Sequence, residues 1–338
     1  MKRILRIVII FLIFIITLLL LNKLVTPKYM TNYIEGNMIK EYYDEKIEND
    51  VIFIGDCEVY ANFSPINIYE ESGITSYVRG NSQQLIWQSY YLLKETIKYQ
   101  KIKVLVFSVN AMRYSEPVKE EYNRLMMDKM RFSKEKLEMI KASKTSDEST
   151  LSYLFPLLRY HSRITSLSSE DFEYFFKEEK HTHNGFLINQ DIKPLTTLPN
   201  PKKLSSYAFS DNVYYYLDKI YELCVENGIK LVLVKAPSLH PYWYPEYESN
   251  ILNYIKDKDI KYYNLLDKKD EIGLDYQIDT YDGGLHLNLN GATKLSKYFA
   301  KILRKDFNLN DYRNNTEINE IYNDKIKRYY NEINKKFN

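Results

Sequence analysis

"VIFIGDCEVY", residues 51–60, changes character halfway along. Val51–Ile54 is short, apolar and rich in β-branched side chains, the make-up of a strand buried in a sheet. Gly55-Asp56-Cys57 then breaks the run with a small residue, a carboxylate and a thiol. That cysteine is one of only two in the chain. A buried strand that opens into polar, chemically capable residues is the start of a β-α unit, which needs partner strands further along the sequence.

Downstream, 75–80 "TSYVRG" reads as a second short strand ending on Gly80. Residues 82–99 carry Leu85, Trp87, Tyr91, Leu92 and Ile97 at helical spacing. "KIKVLVFSVN", 101–110, is a continuous apolar strand of the kind covered on both faces. From 111 to 210 the alternation lapses into helical and loop-like stretches, too long for a plain crossover, and this region is read as a largely helical inserted cap. The pattern then resumes. A helix is capped by Ser210 or Asp211 and closed by Gly228. A strand "IKLVLVKAP" follows, then a helix near 248–258, a strand "IKYYNLL", and a last helix striped by Ala292, Leu295, Phe299 and Ile302. Strands alternating with helices predict an α/β fold with a doubly wound parallel five-stranded sheet. The tail, 306–338, repeats Ile318, Tyr322, Ile326, Tyr329 and Ile333 in helical register, a helix to be packed on the body or on a partner.

The first 25 residues differ from the rest. Lys2, Arg3 and Arg6 precede an almost purely apolar run to Leu21, close to the roughly 17–25 residues that cross a bilayer. No Ala-x-Ala cleavage pattern follows, so an uncleaved anchor is expected rather than a removed signal. The leading basic residues put the N-terminus in the cytoplasm and the remainder outside, as a single-pass protein. Residues 26–50 are read as a stalk followed by a short helix, and 51–305 as the main domain.

Composition excludes several partners. The formal net charge is only +2 and no basic block stands out, so nucleic acid is not expected. The 33 tyrosines, against 15 phenylalanines and 2 tryptophans, supply apolar area with polar tips, suited to cores and to stacking on polar ligands. Two cysteines make no disulfide framework, and Cys224, at helical spacing from Leu217 and Ile220, is read as core. His181 and His183 in "HTH" have no element to aim them at a metal and are read as surface residues. No metal and no cofactor are expected.

In an open parallel sheet, ligands sit beyond the carboxyl ends of the strands. The residues there are Asp56-Cys57, Gly80, Asn110, the segment Pro237–His240, and "DTYDGGLHLNLNGA" with His286. This set resembles the SGNH/GDSL hydrolase superfamily. Gly55-Asp56-Cys57, Gly80, Asn110 and His286 match its blocks in order and in context over about residues 51–110 and 230–305. The resemblance implies a flavodoxin-like three-layer α/β/α domain with a Ser-His-Asp type triad. It also implies an oxyanion hole made by the Cys57 and Gly80 N–H groups and the Asn110 amide. Two departures stand out. Cys57 occupies the serine position. The residue three before the histidine, an aspartate in the family, is Gly283, which leaves Asp282 as the partner of His286 and Asp279 as substitute. A position at a helix N-terminus is expected to lower the thiol pKa. Asp56 and the aromatic segment Tyr242-Trp243-Tyr244 are candidates for substrate contact. Those rings could equally pack as a rigid loop.

With the anchor, the resemblance extends to accessory proteins of cell-envelope acylation. It implies an acyltransferase that modifies an extracellular polysaccharide through an acyl-Cys57 intermediate, beside a polytopic membrane-bound O-acyltransferase. Two alternatives stay open: a carbohydrate esterase using the same triad, and a catalytically degenerate polysaccharide-binding or scaffold protein.

Overall fold

The computed structural model describes residues 1–27, 35–117, 119–176 and 180–335, with backbone only for 35–37. Five parallel strands form the sheet: β1 Val51–Gly55, β2 Ser76–Gly80, β3 Val104–Ser108, β4 Lys230–Lys235 and β5 Ile260–Asn264. Their order is β2-β1-β3-β4-β5. The chain leaves β1 toward one edge and returns across it to β3, so the order reverses between β1 and β3. Such a switch point opens a crevice at the carboxyl ends of the strands.

The strand runs are apolar throughout because both faces are covered. Ile52, Ile54, Leu105, Phe107, Leu231 and Leu233 point to one side. Val51, Phe53, Val104, Val106, Val232 and Val234 point to the other, the alternation a pleated strand imposes. The helices are α1 Lys2–Val25, α2 Glu35–Glu41, α3 Cys57–Asn62, α4 Pro65–Ser72, α5 Ile86–Thr96, α6 Glu120–Met127, α7 Lys134–Ser143 and α8 Thr150–Leu154. There follow α9 Leu157–Tyr160, α10 Ser169–Phe176, α11 Asp211–Glu226, α12 Pro245–Ile255, α13 Lys269–Ile272, α14 Leu289–Asp306 and α15 Thr316–Lys335. One layer is built on α5, α11 and α12, backed by α7; the other is built on α3, α4 and α14, backed by α15. Each large apolar side chain buried in these layers stabilises by about 1.5–3 kcal/mol.

Caps fix the helix starts. Ser210, not Asp211, caps α11 by accepting from Val213 N, and Ser64 caps α4 ahead of Pro65. Hydroxyl caps satisfy backbone donors that the first turn leaves open. The tail helix packs on the body: Tyr322 stacks on Tyr69 with ring centroids 3.7 Å apart and takes a hydrogen bond from Ser76 N.

One reading of the sequence needs correction. The segment taken as a stalk is folded body from α2 onward, because Met38, Ile39 and Tyr42 are buried against the domain; residues 28–34 lie outside the described residues. The insertion has two parts. Its helical part, α6–α10, packs beside α2, α5 and the end of α1. The following stretch is extended: Leu187 N donates to Tyr60 O of α3, and further on Leu289 N donates to Asn189 O and Lys193 N to Thr280 O, which tie it to the loop that carries His286 and to the start of α14. Helix α1 is 24 residues long and exposed until its last turn, long and apolar enough to cross a membrane.

Candidate active site

Cys57 is the first residue of α3, directly beyond β1 at the switch point. Asp56 caps that helix, its Oδ1 accepting from Glu58 N at 3.2 Å, while its Oδ2 accepts from Asn110 Nδ2 at 2.5 Å. The loops after β1 and β3 are therefore pinned to each other. The backbones approach so closely that a Cβ on Gly80 would stand 2.4 Å from Val59 Cγ2, and one on Gly55 2.7 Å from Ser108 Cβ. Only glycine fits at either place.

His286 lies on a loop closed by its own side chains. Its Nδ1 is 2.6 Å from Asp282 Oδ2, and its backbone N donates to Asp282 Oδ1 at 2.8 Å. This is a two-point grip on one carboxylate. It needs the chain to turn back within four residues, and Gly283 (φ 80°) and Gly284 (φ 99°) make that turn in the left-handed region, which glycine enters without steric cost. Thr280 Oγ1 tightens the loop by accepting from Gly284 N and donating to His286 O. The Tyr281 ring stacks parallel to the imidazole at 5.5 Å. Asp279 points elsewhere: its carboxylate accepts from Asn290 Nδ2, Lys294 Nζ and Asp275 N. It braces the start of α14, and Asp282 is the residue that holds His286.

Asn62 joins the two halves. From the far end of α3 its Oδ1 accepts from Leu287 N at 2.9 Å, and its Nδ2 donates to Ser238 Oγ at 3.4 Å. The helix bearing Cys57 is thus tied to the residue after His286 and to the loop after β4. The remaining nitrogen of the ring, Nε2, is buried and makes no hydrogen bond to Cys57 Sγ or to any other described group. With Nδ1 committed to a carboxylate, Nε2 is the basic nitrogen.

The residue after Cys57 belongs to an ion pair that the sequence reading missed. Lys235 Nζ is 2.5 Å from Glu58 Oε1, and both side chains are 1% exposed. Ser108 Oγ donates to the other Glu58 oxygen, and Lys235 also donates to Ala236 O and Ser238 O. The only local hint is a lysine closing an otherwise apolar strand; its partner is far away in sequence. Arg113, also unforeseen, donates to Asn110 Oδ1 at 2.8 Å and orients that amide.

The electrostatics overturn one expectation. Burial pushes the Cys57 thiol pKa well up, and the charges of Asp56, Glu58 and Asp282 push it further, against backbone hydrogen bonding that favours the thiolate. A six-residue helix does not outweigh three carboxylates. The thiol is neutral at pH 7. Asp56 is itself raised to about 6 by burial and by the Glu58 charge, partly offset by the Asn110 and Glu58 N–H bonds. Asp282 moves the opposite way: burial raises it, but the hydrogen bond and charge of His286 more than compensate, and its carboxyl sits below the ordinary range.

Of the remaining candidates, Asn110 commits one amide hydrogen to Asp56 and keeps a second. Gly80 lies in register with Gly55 at the strand ends. Trp243 is buried and donates to Glu248 Oε2, and Tyr244 OH donates to Lys202 O. These rings pack on each other, with Tyr242 edge-on to Tyr244 at 4.9 Å, so Trp243 offers no open stacking face. His183 is buried, not on the surface, with Nε2 2.9 Å from Glu332 of α15. Among the described residues, no group of three or more His, Cys, Asp or Glu side chains could hold a metal ion.

No family model matches the sequence, and no curated protein matches it. Solved structures similar to it include a protein from Bacteroides fragilis provisionally described as an acylhydrolase, at 10% identity and TM-score 0.37, over 79% of this chain and 94% of that one. Another is a GDSL-like lipase from Bacteroides thetaiotaomicron, at 11% identity and TM-score 0.37, over 81% of this chain and all of that one. Likeness this remote transfers no chemistry, which has to come from the side chains of this chain.

Proposed function

We propose that this chain is a membrane-anchored, extracytoplasmic acyl-transfer enzyme that works like a serine hydrolase with sulfur in place of oxygen. The observation that carries the reading is the His286–Asp282 pair, whose unengaged Nε2 stands on a loop tied by Asn62 to the helix of Cys57. Because the thiol is neutral, its proton has to leave during attack. His286 Nε2 takes it as Sγ bonds to the carbonyl carbon of an ester donor. Asp282 holds the tautomer and stabilises the imidazolium that forms. The Cys57 and Gly80 N–H groups and the second Asn110 hydrogen face the developing oxyanion, each such donor contributing about a hundred- to a thousand-fold in rate. The carbon–oxygen bond to the leaving alcohol breaks, and Nε2 returns the proton to that oxygen. An acceptor hydroxyl then repeats the sequence on the thioester, and the C–S bond breaks. The acceptor class we favour is a cell-envelope polysaccharide, with a polytopic O-acyltransferase supplying the acyl group across the bilayer; with water as acceptor the same steps make an esterase.

The test is intact-mass analysis after exposure to a p-nitrophenyl ester. An acyl adduct that is lost in Cys57→Ala and kept in Cys224→Ala is expected. The lack of a Cys57–His286 hydrogen bond favours a second reading, a scaffold that has kept the fold without the reaction. Unbound active sites often hold such bonds loosely, so the two readings part on the adduct. A chain that never acylates is the scaffold.

A further inference from the structure

The end of α1 is gripped by the insertion. Leu157 N donates to Asn22 Oδ1 at 2.7 Å, and Arg163 Nη1 donates to Val25 O at 2.7 Å. Lys23 Nζ lies 5.0 Å from the Phe175 ring centroid and 3.5 Å from Phe175 O. Arg163 is held in turn by both oxygens of Asp171, so α9, α10 and the turn between them form one rigid collar around the last turn of α1. Together with α8, which leads directly into them, these elements expose Leu151, Phe155, Leu158, Phe172 and Phe176, each at least 51% accessible and Phe176 at 92%. Phe172 and Phe176 are one helical turn apart on α10 and share a stripe. So many large apolar side chains exposed in one short segment mark an interaction surface rather than scatter.

We propose that α8–α10 are a membrane-resting platform, with these side chains dipping into the lipid interface where α1 leaves the bilayer. The inference rests on reading α1 as an anchor. Given that, the occupant follows from continuity: the exposed side chains belong to a collar bonded to residues 22–25 of the spanning helix, at the depth where its apolar length ends. Two tethering elements at fixed geometry then hold the domain at one tilt instead of letting it swing. Arg159, paired with Glu120, and His161 stand on the same segment among the apolar residues. Glu170 lies on the opposite side of α10 from Phe172, and Glu173 marks the rim.

The test uses the full chain in phosphatidylcholine–phosphatidylglycerol vesicles with brominated acyl chains. Phe155→Trp and Phe172→Trp are compared with Leu252→Trp on α12, which packs at the β5 edge, away from α1. The native tryptophans, Trp87 and Trp243, are both buried and give the background. Both platform variants are expected to be quenched several-fold more strongly than Leu252→Trp, in protein that resists alkaline carbonate extraction. Protein that stays in the membrane with neither platform position quenched overturns the platform and leaves the anchor standing. Protecting contacts between two copies at Phe155 and Phe172, found by crosslinking in place of quenching, overturn it too. Release of the chain by carbonate removes the anchor reading, and the platform with it.

Discussion

The two cysteines sit in the two opposite layers of the sheet, and both thiols are held above their ordinary pKa. Cys224, on α11, is 1% exposed and pushed up to about 12 by burial alone. Cys57 is half-buried and raised by burial together with Asp56, Glu58 and Asp282. Direction of shift therefore does not tell the two cysteines apart. What separates them is the company. Around Cys224 the neighbours are apolar. His286 Nε2, on the loop that Asn62 ties to the helix of Cys57, makes no hydrogen bond, and its ring is oriented by a carboxylate. A neutral thiol beside a base behaves like a serine hydroxyl; a neutral thiol without one is packing.

The sharpest way to break this contrast is to remove each sulfur. Cys57→Ala should lower ester turnover by on the order of 10⁴–10⁶-fold, while Cys224→Ala should leave it unchanged; Cys57→Ser should retain turnover that alanine loses, because the base does not require a preformed thiolate. Steady-state kinetics on the three variants decide it. Next in size, Asp282→Asn should cost on the order of 10⁴-fold through the wrong histidine tautomer, whereas Asp279→Asn should act on stability with little change in the chemical step. The buried Glu58–Lys235 pair gives a third comparison. Glu58→Gln strands the buried Lys235 ammonium and should destabilise by about 3–5 kcal/mol, while Glu58→Gln with Lys235→Met should come back close to wild type. Urea unfolding of the single and double variants measures this, and equal losses in both would refute the pairing.

The smallest effect concerns Asp56. Its folded pKa, about 6, lies above its ordinary 3.8, so between those values the folded chain binds more protons than the unfolded one. Its contribution is fully present below about pH 4 and lost as pH rises through 6, a fall on the order of 3 kcal/mol. Asp56→Asn keeps a good helix cap and should flatten that part of the stability profile. It should also speed alkylation of Cys57 at pH 8, since a charge that suppresses the thiolate is gone. Cys224 should not respond.

Much of this architecture is legible in the sequence because sheet burial writes itself locally. A strand covered on both faces has to be apolar at every position, and Val51–Ile54 and Val104–Phe107 are. The glycines that end β1 and β2 are legible for a related reason, since close packing against Ser108 and Val59 leaves no room for a side chain. What escaped depends on partners distant along the chain. Glu58 and Lys235 are 177 residues apart, Asn62 and Leu287 are 225 apart, and no local pattern joins them. His183 looks like a surface residue until α15 covers it. The choice of Asp282 over Asp279 turns on how two left-handed glycines fold a loop. The thiol pKa is a different lesson, because Asp56 and Glu58 flank Cys57 in plain view. A short helix terminus weighs less than two adjacent carboxylates, and once buried the carboxylates prevail.

The account stands on His286 acting as the base for Cys57. Single-turnover acylation of the full chain, followed by intact mass at pH 7 in wild type and in His286→Ala, measures that dependence directly. The prediction is an adduct that maps to the peptide containing Cys57 and forms about 10²–10⁴-fold more slowly without the imidazole. An adduct that forms at the same rate in both proteins, or that divides itself evenly between Cys57 and Cys224, would contradict it.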